Sequence, residues 1–306
     1  MSFKIGVDGG GTKTECILVN AEGTVVAVHV GAGCNPSIVG ADQARSIVLA
    51  ALDSLRAQAT AHTAGMTRAP FAPAPEISAT LLCMAGSRAF WSEFAERLNG
   101  FGHITALDDS LPVLELATHG KPGLVLHAGT GSFVAARAPD GTVHYAGGLG
   151  WRFGDPGSGY DIGQRAVARA LLELQGWTPV SRLSALVREH TGAATAAEAT
   201  RAFYGDAAPN QKISDFAPAV LRLAGDGDLV AQQIVFQSVA GLVDLARGVA
   251  EKLFSSSLLD TVRSGLSGPI LTHPVVVQAM AARSPLVLAP VEGKPIEGVR
   301  RMLDKY

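Results

Sequence analysis

Cysteine is scarce in this chain, and its placement argues against two kinds of structure. The only cysteines are Cys16, Cys34 and Cys83, an odd number with no CxxC pair and no histidine spacing that suits a metal. Isolated cysteines of this kind are typical of reduced thiols rather than of a disulfide framework or a zinc site. We therefore expect small buried side chains that behave as hydrophobic residues.

An excess of positive charge is also lacking. Lys and Arg total 25 against 27 for Asp and Glu, which leaves a net charge of -2, and no run of clustered basic residues occurs. Proteins that bind nucleic acids usually present a basic face. We therefore expect no nucleic-acid partner.

Signals for export or membrane insertion are missing from the pattern. One Lys and only a few apolar residues precede Asp8, which is unlike a secretory signal. No uninterrupted apolar run reaches the roughly 18 residues that a membrane-spanning helix needs. These features predict a cytoplasmic protein with no membrane partner. A homodimer is the default expectation for its assembly, because dimers are the commonest soluble oligomers.

The composition is that of a folded protein with unusually many glycines. Apolar residues make up 47% and charged residues 17% of 306 residues, a length that favours two domains over one. Glycine occurs 35 times, well above its average use of about 7%. The glycines cluster after short apolar runs, which indicates turns where the backbone must approach a neighbour closely.

An internal repeat decides the organisation. Residues 5–33 (IGVDGGGTKTECILVNAEGTVVAVHVGAG) can be laid over residues 124–150 (LVLHAGTGSFVAARAPDGTVHYAGGLG), at an offset of 119 residues. Each copy predicts a strand, a glycine-rich turn and two further strands, the first copy at 3–7, 14–19 and 24–30. So long an offset indicates a duplicated domain rather than a solenoid. We predict an α/β protein with lobes at 1–117 and 118–295, and a last helix, 296–306, that packs back on the first lobe.

Helical and strand periodicities fill the rest of the chain. Residues 57–75, rich in Ala, Pro and Thr, are predicted to be a surface excursion. Asp228 is the predicted N-cap of a long helix. The predicted helices are 41–58, 90–98, a helix that ends near 175, 228–254 and 296–305; strands are predicted at 79–84 and 104–107, and a strand, turn and helix at 262–282.

The first glycine-rich turn can bind phosphate. Residues 8–14 read DGGGTKT, and consecutive glycines let several amide groups converge on one anion. Lys13 can add charge, and Asp8 is placed to hold Mg²⁺ directly or through water. The alternative is an ordinary glycine hairpin with an exposed carboxylate. The turn is not a Walker P-loop, because GxxxxGK[ST] is absent and a strand follows.

The equivalent turn of the repeat strengthens this prediction. It reads HAGTGS and contains Gly129, Thr130, Gly131 and Ser132. Two equivalent phosphate-type turns in duplicated lobes predict a nucleotide cleft between the lobes. His127 and His144 lie near the second copy without metal-binding partners, and we expect them to be structural.

Three further positions carry candidate chemistry. Asp108 and Asp109 end a predicted strand, where a carboxylate can act as a general base or can cap the next helix. Asp155, in GDPGSG, can bind sugar hydroxyls or cap the helix that follows. The turn Gly265–Gly268 can admit an adenine ring or can simply connect a strand to a helix.

Together these motifs resemble a known family. DGGGTKT, AGTGS, GGxG, GDPGSG and the late GLSG are similar to the superfamily of sugar kinases, actin and heat-shock chaperone ATPases, and within it to the BadF/BadG/BcrA/BcrD ATPase family, especially its N-acetylglucosamine and glucosamine kinases. The resemblance covers nearly the whole chain. It implies two ribonuclease-H-like lobes, ATP and Mg²⁺ as cofactors, and transfer of phosphate to the 6-hydroxyl of an amino sugar.

The resemblance also implies roles for single residues. It implies that Asp8 binds the metal and that Asp109 is the general base. The first phosphate loop would comprise Gly10, Gly11, Thr12, Lys13 and Thr14, and the second would comprise Gly129, Thr130, Gly131 and Ser132. The sugar would contact Asn35, Thr130, Asp155 and Asp109, and the adenosine would contact Gly265 and Gly268. The chain departs from the family pattern where Pro156 replaces Glu, where Asp108 replaces Asn, and where GLSG replaces paired glycines.

Two other functions fit the same fold. An ATPase that activates an electron-transfer or dehydratase partner would need cysteines for an iron-sulfur cluster, and the cysteine spacing does not support one. A sugar-responsive regulator would need a DNA-binding segment, and neither a helix-turn-helix ahead of the first strand nor a basic charge is present.

Overall fold

The structure, a computed structural model, describes residues 2–66 and 75–306. The chain divides into two compact units. The first unit comprises Met1–His119 and Glu292–Tyr306, and the second unit comprises Gly120–Val291.

The first unit is a mixed five-stranded sheet with helices on both faces. The strand order is β3-β2-β1-β4-β5, in which β1 runs antiparallel to β2 and parallel to β4. Its elements are β1 (Ser2–Gly9), β2 (Lys13–Asn20), β3 (Val25–Ala32), α1 (Pro36–Val39), α2 (Ala41–Met66), β4 (Glu76–Met84), α3 (Arg88–Arg97), β5 (His103–Asp108), α4 (Ser110–Thr118) and α12 (Pro295–Leu303).

The second unit repeats this topology with a larger helical part. The strand order β10-β9-β6-β7-β8 matches that of the first sheet read from β5 to β3. Its elements are β6 (Gly123–Ala128), β7 (Ser132–Arg137), β8 (Val143–Gly147), α5 (Gly159–Leu174), α6 (Arg182–Thr191), α7 (Ala196–Tyr204), α8 (Pro209–Ser214), α9 (Ala217–Gly225), α10 (Leu229–Leu253), a 3₁₀ turn (Ser256–Thr261), β9 (Arg263–Ser267), α11 (Pro274–Ala281) and β10 (Leu288–Pro290).

The matching strand orders confirm the duplicated α/β fold predicted from the repeat. Successive side chains of a strand point to opposite faces of its sheet, and in the first sheet the side chains on both faces are buried. Ile5 and Leu18 point to a core shared with α2, whereas Ile17 and Leu81 point to a core shared with α12. A strand flanked by helices on both sides must be apolar at successive positions, as the run Cys16 to Val19 is.

The structure differs most from the sequence prediction at the end of α2 and between residues 182 and 225. Helix α2 continues to Met66 instead of ending at Gln58. Leu55, Ala59 and Thr63, spaced by four, are all buried, so the helical stripe extends into the Ala- and Thr-rich segment. Part of the predicted surface excursion is therefore helix, and its residues 67–74 lie outside the described residues. The helices between 182 and 225 form an addition to the repeat that the sequence analysis did not predict.

Helix α10 begins as predicted and has an apolar face in the core of the second unit. Asp228 is its N-cap, and Oδ1 accepts a hydrogen bond from the Ala231 amide at 3.0 Å. Among the described residues, α10 is the one helix that is long and apolar enough to cross a membrane by length and composition. Its stripe of Val235, Val239 and Leu242 is buried among the other helices and strands of this unit.

Helices α4 and α12 contact each other so closely that a methyl group does not fit. A Cβ atom added at Gly298 would lie 2.1 Å from the Pro112 carbonyl oxygen. At Gly248, exposed in the middle of α10, an added Cβ atom meets nothing within 4 Å.

We therefore expect the same substitution to have opposite effects at these two glycines. Gly298→Ala should lower the thermal unfolding midpoint, because α12 must move off α4. Gly248→Ala should raise stability by about 0.5 to 1 kcal/mol, because alanine loses less backbone entropy in a helix. Thermal and urea unfolding followed by circular dichroism test both variants, and a stabilising effect of Gly298→Ala would contradict the α4–α12 packing.

Candidate active site

The candidate acids of the first unit gather at one edge of its sheet. Strands β1, β4 and β5 run parallel, so their carboxyl ends meet at the same edge, where ligands bind in many α/β proteins. Asp8 pairs with Cys83 across β1 and β4, and Met84 pairs with Asp108 across β4 and β5. These registers place Asp8 at the end of β1 and the pair Asp108 and Asp109 at the end of β5, the two strands that flank β4.

The two aspartates of this pair differ in their hydrogen bonds to the start of α4. Asp108 Oδ1 accepts hydrogen bonds from the Ser110 amide at 3.0 Å and from the Ser110 hydroxyl. Asp109 occupies the N-cap position of α4 but makes no capping hydrogen bond. Asp108 therefore satisfies the start of the helix, and the carboxylate of Asp109 is left for other chemistry.

The surroundings of Asp109 give it the protonation behaviour of a base near neutral pH. Burial raises the pKa of Asp109 to about 7, and the negative charges of Asp108 and Asp8 add to the rise. A group with a pKa near the working pH is suited to accept and release a proton during a reaction.

The first glycine loop is held by backbone contacts to its own strand and to the segment before α1. The Gly10 amide donates to the Lys13 carbonyl at 2.9 Å, and the Cys34 amide donates to the Gly10 carbonyl at 3.0 Å. A Cβ atom at Gly33 would lie 2.1 Å from the Gly11 carbonyl oxygen, so only glycine permits this approach of the two segments. The amides of Gly11 and Thr12 have no acceptor among the described residues, which leaves them available to an anion.

Lys13 is paired within its own strand. Its Nζ atom lies 2.6 Å from Glu15 Oε2, and Glu15 lies directly opposite Asp8 across β1 and β2. The sequence analysis missed Glu15. Its spacing of two residues from Lys13, on the same face of a strand, is the signal that could have indicated the pair.

The same side chains set the charge of Asp8. Burial raises the pKa of Asp8 to about 6; the positive charge of Lys13 opposes the rise, and the negative charge of Glu15 adds to it. The carboxylate of Asp8 has no hydrogen-bond partner among residues 2–66 and 75–306. No group of three His, Cys, Asp or Glu side chains in those residues could hold a metal. A partly buried, unpartnered carboxylate fits a single Mg²⁺ contact, because Mg²⁺ keeps several waters and takes the rest of its ligands from phosphates.

Asn35 and Thr14 lie beside this loop and have structural partners. Asn35 caps α1, and its Oδ1 accepts from the Ser37 amide at 3.0 Å. This leaves the amide nitrogen of Asn35 without a partner in the described part of the chain. Thr14 is fully buried and its hydroxyl donates to the Ala32 carbonyl at 2.7 Å. Thr14 thus fixes β2 to β3.

The second glycine loop is tied to the segment that begins α5. The Gly159 amide donates to the Gly129 carbonyl at 2.7 Å, and the Tyr160 amide donates to the Thr130 carbonyl at 3.2 Å. The Ser132 hydroxyl donates to the Pro156 carbonyl at 2.7 Å. The loop and the GDPGSG segment therefore form one hydrogen-bonded structure, and the Ser132 hydroxyl is engaged within it.

Asp155 is buried against this loop. Its Oδ2 atom lies 2.8 Å from the position that a Cβ atom of Gly131 would take, and its Oδ1 atom is buried without a partner among the described residues. Burial raises the pKa of Asp155, although the backbone of Gly150 and Ser132 opposes the rise. Pro156, which departs from the family pattern, packs against Gly241 of α10.

The late GLSG motif is placed differently from the prediction. Gly265 lies inside β9, paired with Val125 and Ala289, and is not part of a turn. Gly268 does lie in the turn, with φ of +86°, and an added Cβ atom there would lie 2.3 Å from the Ala128 carbonyl oxygen. Periodicity alone could not show that the strand includes Gly265, because Leu266 is the one large apolar residue among the small residues of this segment.

A cavity of about 350 Å³ joins the second loop to this turn. Gly129 and Thr130 line it on one side, and Pro269 and Ile270 line it next to Gly268. Residues of α8 and α9 complete its wall, and none of them was a sequence candidate. His127 lies outside it; burial lowers the pKa of His127 to about 4, and its ring stacks on Phe133, as a structural histidine does.

The fold and these loops define a class of protein. Two mixed five-stranded sheets of the same order, each with a glycine loop between its first two strands, make a duplicated ribonuclease-H-like α/β protein. The chain belongs to the BadF/BadG/BcrA/BcrD ATPase family, whose model matches residues 5–265.

Relatives with named activities match nearly the whole chain. The glucosamine kinase of Vibrio cholerae serotype O1 is 26% identical over 302 residues, 96% of this chain and 97% of that protein. The N-acetyl-D-glucosamine kinase of Dictyostelium discoideum is 25% identical over 260 residues, 81% and 79% of the two chains. A solved structure from Chromobacterium violaceum, assigned as an N-acetylglucosamine kinase, is 28% identical, covers 98% of both chains and has a TM-score of 0.74.

The raised pKa of Asp109 predicts a dependence of stability on pH. The folded state holds the proton up to about pH 7, whereas an unfolded Asp releases it near pH 3.9. Folding therefore binds a proton between these values, and the stability that Asp109 contributes falls as pH rises through them.

Asp109→Asn removes this loss of stability at higher pH, because asparagine does not titrate. We expect the stability gain of the variant over the unmodified chain to grow as pH rises from about 5 to about 8, and to be smaller at the lower pH. Urea unfolding at both pH values measures the difference. Asp53→Asn, at an exposed aspartate of α2 paired with Arg56, is the control and should show no such trend. An equal effect of Asp109→Asn at both pH values would contradict the assignment.

Proposed function

We propose that the chain is an ATP-dependent kinase that phosphorylates the 6-hydroxyl of an amino sugar, N-acetylglucosamine or glucosamine. The observation that carries the proposal is Asp109, a carboxylate left out of the helix cap with a pKa of about 7, at the strand edge that also bears Asp8 and the first glycine loop. Membership of an ATPase family and the named activities of the relatives support the same class of reaction.

In the proposed reaction Asp109 takes the proton of the sugar hydroxyl. The hydroxyl oxygen forms a bond to the γ-phosphorus of ATP, the bond from that phosphorus to the β,γ-bridging oxygen breaks, and ADP leaves. Phosphoryl transfer demands mainly positioning and neutralisation of charge. The free amides of Gly11 and Thr12 can supply part of this neutralisation.

Other residues would bind and orient the metal ion, the sugar and the nucleotide. Asp8 would hold Mg²⁺, which neutralises phosphate charge when bound. Asn35, whose amide nitrogen has no partner within the described part of the chain, can donate to a sugar oxygen. In the second unit, Thr130 and its neighbours would contact phosphate or sugar, and the cavity next to Gly268 would take the nucleoside. The nucleotide cleft predicted from the sequence remains part of this proposal.

The cysteines do not favour the activator alternative. Cys16, Cys34 and Cys83 are fully buried, and burial raises the pKa of each thiol, that of Cys16 to about 12. A metal cluster shared between subunits needs accessible thiolates. An absorbance band near 400 nm that is lost on reduction would instead support the activator.

The sugar preference is tested by measuring ADP release. The full chain is assayed with ATP, Mg²⁺ and glucose, glucosamine, N-acetylglucosamine or N-acetylmannosamine in turn. We expect ADP release to depend on an amino sugar and to form its 6-phosphate, identified by mass spectrometry. ADP release that no sugar stimulates would refute the kinase proposal.

The role of the base is tested by one substitution. Asp109→Asn should lower kcat by roughly 10² or more while the folded state and sugar binding persist, because the amide keeps the shape of the side chain but cannot accept the proton. Asp53→Asn is again the control and should keep full turnover. Undiminished turnover of a folded Asp109→Asn variant would place the base elsewhere.

A further inference from the structure

The wall of the second-unit cavity has no role in the motifs identified so far. One side of the cavity is the second glycine loop, at Gly129 and Thr130, and the opposite side is formed by α8 and α9. Three exposed polar side chains from this wall, those of Gln211, Asp215 and Arg222, line the cavity and lie at its mouth rather than in its floor. A fourth polar side chain of the lining, that of Ser214, is buried.

The interior of the cavity suits a molecule that is apolar in part. Leu221 and Ile270 are almost fully buried and line it. The Nδ1 atom of His273, also in the lining, is buried and has no hydrogen-bond partner in the described residues. A volume of about 350 Å³ falls within the roughly 300 to 1,000 Å³ of small-molecule sites, which combine an apolar lining with a few polar groups.

The polar groups that line the cavity favour one direction for a nucleotide. Of the two loop residues that line the cavity, Gly129 donates its amide to the Gly131 carbonyl at 2.9 Å, whereas the amide and the hydroxyl of Thr130 have no partner among the described residues and can bind phosphate. Asp215 would repel phosphate, but a carboxylate accepts hydrogen bonds from hydroxyl groups. Its Oδ1 atom accepts from the Gln211 side-chain amide at 2.7 Å, which orients the carboxylate and leaves acceptor sites free.

Arg222 is an unpaired cation at the same mouth. No carboxylate lies within ion-pair distance of its guanidinium in residues 2–66 and 75–306. A planar guanidinium that lacks an acidic partner is suited to cover the face of an aromatic ring.

We propose that Asp215 and Arg222 select the nucleoside half of the nucleotide, with the Asp215 carboxylate accepting a hydrogen bond from a ribose hydroxyl and the Arg222 guanidinium covering the base. This inference rests on the proposed function and adds the residues that distinguish a ribonucleotide from a deoxynucleotide. The phosphates then lie toward Gly129 and Thr130.

Nucleotide binding without sugar tests the inference. Calorimetric titration of the full chain with ATP, 2′-deoxy-ATP and 3′-deoxy-ATP should show a loss of about tenfold or more in affinity for one of the deoxynucleotides, as expected for a lost hydrogen bond to a charged group. In Asp215→Ala, the affinity for ATP should fall to that for this deoxynucleotide, so that the ratio approaches one. Arg222→Lys should weaken all three nucleotides about equally and leave the ratio unchanged.

A matched control separates selection from general damage. Asp226→Ala removes an exposed aspartate at the end of α9 that pairs with Arg182 at 3.7 Å, and it should keep both the affinities and the ratio. Because the ratio compares two ligands on the same protein, partial unfolding of a variant does not change it. A ratio that Asp215→Ala preserves, or an unmodified chain that binds all three nucleotides equally, would overturn the inference.

The two proposals can fail separately. If the chain binds ATP with the expected ratio but phosphorylates no amino sugar, the proposed function is wrong and the nucleoside assignment stands. If the chain phosphorylates an amino sugar and Asp215→Ala keeps the ratio, only the nucleoside assignment is wrong.

Discussion

The first unit is organised around negative charge that its sheet edge does not neutralise. Asp8 lies at the end of β1, Asp108 and Asp109 lie at the end of β5 on the other side of β4, and Glu15 lies opposite Asp8. Lys13 is the cation that acts on this group, and it is already held by Glu15. Burial and mutual repulsion therefore raise the pKa of Asp8 and of Asp109. A site built this way sacrifices stability in the free protein and favours a ligand that brings positive charge or accepts a hydrogen bond.

The duplicated topology carries different chemistry in its two copies. In the first unit the glycine loop stands beside carboxylates, and two of its amides are free. In the second unit the corresponding loop is tied by backbone hydrogen bonds to the segment that begins α5, and Asp155 is packed behind it. The two copies of the loop therefore differ in the groups that they leave available to a ligand. Helices α6–α9, which have no counterpart in the first unit, supply the cavity wall that the second loop shares.

The sequence predicts the parts of this arrangement that depend on local pattern. The repeat predicted the three-strand meander of each sheet because a meander of alternating residues needs only its own side chains to define it, and the glycine turns were found from their composition. What it left open depends on contacts between distant segments. Whether Asp108 or Asp109 caps α4 is decided by backbone angles at the strand end. The burial of Asp155 against Gly131 joins residues far apart along the chain, and the α8–α9 wall carries no motif at all.

The high glycine content has a physical explanation in these contacts. At Gly33 and at Gly268 a backbone carbonyl from another segment occupies the space of a Cβ atom. Gly33 meets a carbonyl of the first glycine loop, and Gly268 meets a carbonyl at the end of β6, the strand that leads into the second glycine loop. Such approaches bring peptide groups closer than any side chain would allow, and they fix the loops without using side-chain hydrogen bonds. Groups near the first loop then keep no partner among the described residues, as the amide nitrogen of Asn35 and the carboxylate of Asp8 do. The glycines thus hold the shape of each loop, whereas the residues beside them determine its chemistry.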